Sequence, residues 1–442
     1  MNIILLSGGS GKRLWPLSND VRSKQFLKVL KCNNGGYESM VQRVYRQIKT
    51  AAPDARVTIA TGKKQVSSIV NQLGDKVSVC VEPARRDTFP AIALAGAYLA
   101  SEKGVLPNEA VVVCPVDPYT EEEYFFALQQ LAKEAEQGED NLYLLGVEPT
   151  YPSEKYGYIL PGVQRGNCRR VDAFKEKPTK EQAEEYIRQG ALWNCGVFAF
   201  RLGYLLEIAR RYVQFENYGE LYARYEQLEK ISFDYAVVEK ERRIACMKYS
   251  GMWKDIGTWN TLAEEMAEPT IGNVILDEHC ENTAVINELS VPVLCMGIKN
   301  AVVAVSGDGI LVSDRQASSY IKPYVDKLEG QAMYAEKSWG SFTVLDAQEH
   351  CMVIKVLLRP GHQLTYHTHE HRDEVWTIVA GTGHTIVDGM KQTVRPGDVV
   401  TMAAGCRHTI HAETELQLVE TQIGAEIDAA DKQKFDLEEE LK

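Results

Sequence analysis

The chain opens on an apolar-leaning run, Asn2-Ile3-Ile4-Leu5-Leu6, which stops at Gly8, Gly9 and Gly11. A short apolar run ended by glycines predicts a buried strand that turns sharply at its carboxyl end. Comparable runs recur at residues 56–60, 76–81, 110–116 and 142–147. Segments of helical character separate them, among them an Ala-rich stretch that Asp87 or Thr88 can cap and that runs to about Leu99. Strands alternating with helices out to residue 265 predict an α/β domain on a mainly parallel sheet, residues 1–265. Beyond it the rhythm changes. Residues 272–276, 283–287, 291–295 and 301–305 read as short strands at regular spacing with turn residues between them. With a helical linker around 318–328, they make residues 266–330 a β-rich connector and leave residues 331–442 as a separate domain.

Composition narrows the function classes. A length of 442 residues exceeds a single compact core, in keeping with several domains. The formal net charge of −12 argues against a nucleic-acid-binding surface, so any phosphate ligand must be met by local Arg and Lys. Ten cysteines are scattered without a Cys-x-x-Cys pair, which reads as free thiols in a reducing compartment. No signal peptide or membrane span is evident, and a cytoplasmic location is expected.

The chemistry begins at the first turn. Glycines at 8, 9 and 11 let backbone N–H groups approach an anion, with Arg13, Lys24 and Lys28 close behind. This is not a P-loop, because Gly11-Lys12 is followed by Arg13 and not by Ser or Thr. Nor is it a dinucleotide fingerprint, because Leu14 stands where a small residue is needed. Asp117 ends the apolar run 110–116, and a carboxylate at the end of a buried strand lies where α/β ligands bind. By spacing alone Asp117 could equally be a cap or turn residue, and so could Asp255 before Ile256-Gly257.

The string Leu6-Ser7-Gly8-Gly9-Ser10-Gly11, Arg13-Leu14-Trp15-Pro16-Leu17-Ser18, Lys24-Gln25-Phe26-Leu27 closely resembles the signature of bacterial mannose-1-phosphate guanylyltransferases. Further matches follow in order: Glu82-Pro83 with Arg86-Asp87-Thr88, Val116-Asp117-Pro118, Tyr156-Gly157-Tyr158-Ile159, Phe174-Lys175-Glu176-Lys177-Pro178, Trp193-Asn194-Cys195-Gly196, Ser232-Phe233-Asp234 and Trp253-Lys254-Asp255-Ile256-Gly257. Lys12, Ser23, Asp87, Val116, Pro118 and Glu154-Lys155 depart from the family pattern. The resemblance implies a Rossmann-like nucleotidyltransferase domain that joins GTP and mannose 1-phosphate into GDP-mannose and pyrophosphate. It implies a catalytic set of Arg13, Lys24, Asp117 and Asp255, with Mg²⁺ on the two aspartates. Leu6, Gly8, Gly9, Gly11, Arg13, Lys24, Arg86, Asp87 and Thr88 would bind the nucleotide, and Tyr156, Gly157, Glu176, Lys177 and Asn194 the sugar phosphate. No nucleic acid or membrane partner is implied, and a homo-oligomer, in its simplest form a dimer, is. A transferase for another nucleotide or hexose and a non-catalytic sugar-nucleotide sensor are the alternatives.

The last hundred or so residues carry a second constellation. Gly361, His367, His369, Glu374 and Gly381 fit the first motif of the cupin β-barrel, and Gly397, Gly405 and His408 the second, with Ala403 where Pro is usual. His367 and His369 alternate onto one face of a strand, and an imidazole-rich set with one carboxylate suits Zn, Fe, Mn, Co or Ni. Trp339-Gly340 and His369-Glu370-His371-Arg372-Asp373-Glu374-Val375-Trp376 resemble the phosphomannose isomerase domain fused to many of these transferases. That likeness implies a second divalent metal on His367, His369, Glu374 and His408, and isomerisation of mannose 6-phosphate as a possible second activity. His367 stands where the family has Gln, and Lys337-Ser338 where it has Arg-Pro.

Overall fold

A computed structural model describes residues 1–9, 11–19, 21–32, 35–328 and 332–437, so Ser10 of the glycine loop lies outside the described residues. The chain forms two compact units: residues Met1–Leu14 with Ser23–Glu268, and residues Trp15–Arg22 with those from Pro269 onward.

Besides the short antiparallel pair Leu30–Lys31 and Tyr37–Glu38, the strands of the first unit are β1 (Asn2–Ser7), β2 (Arg56–Gly62), β3 (Ser78–Glu82), β4 (Ala110–Pro115), β5 (Pro118–Thr120), β6 (Leu142–Val147), β7 (Tyr158–Arg165), β8 (Cys168–Lys175), β9 (Leu192–Arg201), β10 (Ile244–Tyr249) and β11 (Trp253–Asp255). All but β5 and β11 join one nine-stranded sheet in the order β3-β2-β1-β4-β9-β6-β10-β8-β7. The pairings give β1–β4, β6, β7 and β10 one direction, with β8 and β9 opposed. The period-two alternation of a strand splits each apolar run between the two faces. Ile3 and Leu5 of β1 and Val112 and Cys114 of β4 join one core layer. Ile4, Val111 and Val113 join the other.

Helices cover both layers. Met40–Ala51 and Glu123–Gln137 pack on the first, and Thr88–Lys103 with Leu202–Tyr212 on the second. Asp87 caps Thr88–Lys103 through its own Oδ1, which accepts from the Thr88 N–H at 2.7 Å. The apolar pattern stops at Leu99, but the helix continues through a polar last turn to Gly104, whose left-handed backbone returns its N–H to the Leu99 carbonyl.

In the second unit the connector strands pair in parallel, Thr270–Ile271 with Ala284–Asn287, that strand with Ala301–Ser306, and Val274–Leu276 with Val293–Cys295. They wind as stacked coils, closed by the antiparallel strand Gly309–Asp314. A 3₁₀ turn at Ala317–Tyr320 and a short helix at Lys322–Val325 follow. The remainder is a two-sheet β-barrel with six strands in one sheet and five in the other. Leu358, Trp376, Ile410, Leu416 and Leu418 fill its core. Among the described residues no helix is long and apolar enough to cross a membrane.

Candidate active site

The glycine loop leaves the carboxyl end of β1 and is held from below by a buried polar network. Ser23 Oγ donates to the Gly9 carbonyl at 3.2 Å, and Gln65 Nε2 donates to Ser23 Oγ at 2.6 Å and to Gly9 O at 3.3 Å. Thr61 Oγ1 donates to Gln65 Oε1, and Gln25 Nε2 to Ser7 Oγ. Arg85 reaches the same Gly9 carbonyl at 3.2 Å. These polar groups satisfy one another, which is what permits them to be buried under the loop.

Above this network opens a cleft of about 410 Å³. Leu6, Gly8, Gly9, Arg86, Asp87, Thr88 and Asp117 line it together with Gln25, Gln65, Glu82 and Arg85. Gly11, Arg13 and Lys24 are not among its lining residues. Arg86 is turned to the Leu228 carbonyl at 3.0 Å. Glu82 accepts from the Tyr225 hydroxyl at 2.7 Å, and burial raises its carboxyl above the ordinary value.

A second pocket of about 170 Å³ adjoins it and shares Pro115 and Asp117. Tyr156, Asn194, Cys195, Gly196, Trp253 and Asp255 line it too. Asp255 arrives there because β5 and β11 pair as a short antiparallel ribbon with Asp255 opposite Pro118. At the junction of the two pockets Lys24 Nζ lies 2.7 Å from Asp117 Oδ2 and 3.9 Å from Asp255 Oδ1. Burial alone would raise Asp117, but the Lys24 ammonium holds it below its ordinary value, with Arg13 adding to the effect. Asp255 is raised, first by burial and then by the Asp117 charge, although Lys24, Arg13 and Lys155 oppose it. Two hard carboxylates converging on one cationic position form a donor set that fits Mg²⁺.

Glu176, Lys177 and Asn194 stand around a further carboxylate. Asn194 Nδ2 donates to Asp234 Oδ1 at 2.9 Å, and Lys177 Nζ to Glu176 Oε1 at 2.7 Å. Gly157 backs Glu176 so closely that a Cβ there would lie 2.6 Å from Glu176 Oε2. Burial, then the charge of Glu176, pushes Asp234 up to about 7. An acid raised in the fold contributes stability that is complete below its unfolded value near 3.8 and is lost as pH rises through 7. Asp234→Asn is therefore expected to match the wild type below pH 4 and to exceed it by a few kcal/mol above pH 7, read from melting curves across pH.

The barrel holds the second cluster. His367 and His369 sit on the strand His367–His369, Glu374 on Arg372–Ala380 and His408 on His408–Ala412. All four are buried, and their ligand atoms lie within 4.8 Å of one another. His367 Nδ1 bonds the Thr365 carbonyl at 2.5 Å and His408 Nδ1 the Cys406 carbonyl at 3.0 Å. A carbonyl only accepts, so each Nδ1 carries a proton; this leaves the His367 Nε2 lone pair to coordinate, while His408 Nε2 lies 3.1 Å from Glu374 Oε2. Burial, then the charges of Lys432 and His408, lowers His367 to about 2, so its imidazole stays neutral. Burial would raise Glu374, but hydrogen bonds from His369 and His408 hold it well below its ordinary value. Three imidazoles and a carboxylate fit one divalent cation of the Zn, Fe or Mn type.

Several neighbours reach the cluster through contacts that spacing does not give. Arg372 Nη2 lies 3.1 Å from His369 Nε2, and Gln422 Nε2 donates to both Glu374 and Glu420. Glu420 is pushed up to about 7 by burial and then by the Glu374 charge. Lys432 reaches the cluster because its strand pairs with that of His369, in register.

Residues 2–270 match the family model described as nucleotidyl transferase. The chain belongs to the nucleotidyl transferase family. Residues 326–437 match a second model, the mannose-6-phosphate isomerase C-terminal domain. This nucleotidyl transferase is 30% identical to a xanthan biosynthesis protein of Xanthomonas campestris pv. campestris over 98% of this chain and 97% of that one. It is 28% identical to the mannose-1-phosphate guanylyltransferase of Escherichia coli, again over 98% and 97% of the two chains. A crystal structure from Thermus thermophilus, described as mannose-1-phosphate geranyltransferase, superposes with a TM-score of 0.61 at 30% identity, covering 74% of this chain and 99% of that one. The mainly parallel α/β fold expected from the sequence is also the fold of that Thermus thermophilus structure.

Proposed function

We propose that the first unit transfers GMP from GTP to mannose 1-phosphate, releasing pyrophosphate and GDP-mannose. The observation that carries this reading is the sharing of Asp117 between the larger and smaller pockets, with Lys24 and Asp255 at the junction. A nucleotide in the first and a sugar phosphate in the second would meet there. An oxygen of the sugar phosphate attacks the α-phosphorus; that P–O bond forms as the bond to the β-phosphate breaks, and pyrophosphate leaves. No group has to move a proton, since positioning and charge neutralisation account for the barrier. Asp117 and Asp255 would hold Mg²⁺, which supplies neutralisation of the phosphate oxygens. Lys24 sits beside them to steady the α-phosphate, and Arg13, whose charge reaches the same pair, would retain the leaving pyrophosphate.

Glu82 supports guanine as the base. Its carboxylate on the cleft wall offers acceptor oxygens, and guanine presents adjacent N–H donors along one edge. A panel of nucleoside triphosphates against hexose 1-phosphates, read by pyrophosphate release, tests the assignment. GTP with mannose 1-phosphate is expected to be the best pair, and another preferred pair overturns it. On the sugar side, Lys177→Ala is expected to raise the apparent KM for the sugar phosphate roughly tenfold with little change for GTP, the cost of one charged hydrogen bond. A collapse of GTP affinity instead would reverse the assignment of the two pockets.

For the barrel the proposal is one divalent metal on His367, His369, Glu374 and His408, serving interconversion of mannose 6-phosphate and fructose 6-phosphate. The metal supplies Lewis acidity toward the carbonyl. Glu420, a buried carboxylate tied to Glu374 through Gln422, would be the group placed to move a proton between adjacent carbons. Free thiols at all ten cysteines and the nucleotide substrate support a cytoplasmic location. Self-association as a dimer is expected and is read by light scattering.

A further inference from the structure

The loop that carries the phosphate-binding residues is divided between the two compact units. Its ends, up to Leu14 and from Ser23, belong to the nucleotide-binding unit, whereas Trp15–Arg22 belongs to the unit built by residues from Pro269 onward. Within that second unit the tight turn between the strands Ala301–Ser306 and Gly309–Asp314 receives the segment. The buried Ser306 hydroxyl donates to the Pro16 carbonyl at 2.8 Å. Asn19 Nδ2 donates to Asp308 Oδ2 at 2.6 Å, and Asp308 Oδ1 accepts from the Met333 N–H at 2.7 Å. Asn19 Oδ1 in turn accepts from the backbone N–H groups of Val21 and Arg22 at 2.8 and 2.7 Å, so the residue that Asp308 holds is itself bonded to the end of the segment. Arg22 closes the segment with a bidentate pair to Glu288 at 2.7 and 2.8 Å. Gly309, with φ +148°, lies so near Trp15 that a Cβ there would be 2.5 Å from the indole Cζ2. A side chain at that position must displace the indole.

The segment held in this way runs directly from Arg13 to Lys24. We propose that the Ser306–Gly309 turn is a positioning element for the nucleotide subsite. By fixing Trp15–Arg22 it sets the covalent span between the two cations that meet the triphosphate. The inference rests on the transferase reading given above. A loop with glycines at 8, 9 and 11 has little conformational preference of its own, so its geometry must be imposed by what its ends are fastened to. Among the described residues, the network of Ser23, Gln65 and Gly9 is one such fastening and the turn is another. In this reading Ser306, Asp308 and Gly309 act through the backbone of the loop.

The test uses the full chain with Ser306→Ala/Asp308→Ala, and Gly309→Ala as an independent variant acting on Trp15. Val312→Ser, on the same strand but exposed on its outer face, is the control. Steady-state kinetics are expected to show the KM for GTP raised about tenfold in the double variant, since about two hydrogen bonds of ordering are lost, and raised in Gly309→Ala through the displaced indole, with the KM for mannose 1-phosphate and the barrel metal content unchanged in both. Hydrogen exchange is expected to accelerate not only in residues 15–22 but also in residues 11–14 and 23–26, and the control is expected to behave as wild type. Faster exchange confined to residues 15–22 with an unchanged KM for GTP overturns the proposal. So does an equal loss for both substrates together with a lowered melting temperature, which marks general destabilisation. A wild-type chain that turns over no nucleotide defeats the transferase reading, while the exchange pattern still decides whether the turn and the loop are coupled.

Discussion

Asp117→Asn and Asp255→Asn are each expected to lower the rate of pyrophosphate release on the order of a thousandfold while leaving the fold intact. The loss follows from removing one charged ligand of a proposed divalent site, worth several kcal/mol of transition-state stabilisation. Both side chains stand at the pocket junction and not in the apolar layers, so the core does not depend on them. Asp117→Asn also leaves the Lys24 ammonium without its 2.7 Å partner, so part of the effect reaches the α-phosphate through a displaced lysine. Asp255→Asn leaves that contact in place, which makes its rate loss the cleaner measure of the metal. Initial rates over a Mg²⁺ titration, with melting temperature as the control for folding, separate the two. Near-normal turnover in either variant removes that residue from the site.

His408→Ala and Glu374→Gln are expected to strip the barrel of its metal, with stoichiometry falling from about one per chain to near zero on elemental analysis. Both residues are buried and the ligand atoms lie within 4.8 Å of one another, so the four donors form a closed set in which each is needed. Glu374→Gln preserves shape and removes only the charge on which His369 and His408 converge at 3.0 and 3.1 Å. Isomerase activity in a coupled assay should vanish in both variants while nucleotidyl transfer persists. A wild-type barrel that neither contains metal nor can be reconstituted removes the site. Metal without isomerisation would remove the enzymatic role and leave a structural one.

Residues whose placement depends on local sequence were legible. Asp117 follows an apolar strand and lies at its carboxyl end, and His367 and His369 alternate along one strand. Asp87 was readable as a cap, which it is, but Lys103 as the helix end was not. Periodicity reports the buried face, and the last turn of that helix has none. What stayed hidden depends on register between distant segments. Gln65 reaches Gly9 across a parallel sheet, Asp255 reaches Asp117 only because a three-residue ribbon pairs it opposite Pro118, and Lys432 faces His369 only through pairing of the last strand. Arg372 lay within a recognisable motif, yet its contact with His369 depends on side-chain direction, which no spacing encodes.

The sharing of Asp117 between two pockets has a consequence for how such an enzyme can change over time. The wall toward the larger pocket comes from the segments around Ala60–Gln65 and Glu82–Ala91, and the wall toward the smaller one from Tyr156, Asn194–Gly196 and Trp253–Asp255. These stretches are separate in the chain, and among the lining residues only Pro115 and Asp117 serve both. On the reading proposed above, point changes on one side would alter which donor is accepted without retuning the acceptor, and the reverse. Preference for base and preference for hexose would then drift as separate traits, joined only at Pro115 and Asp117.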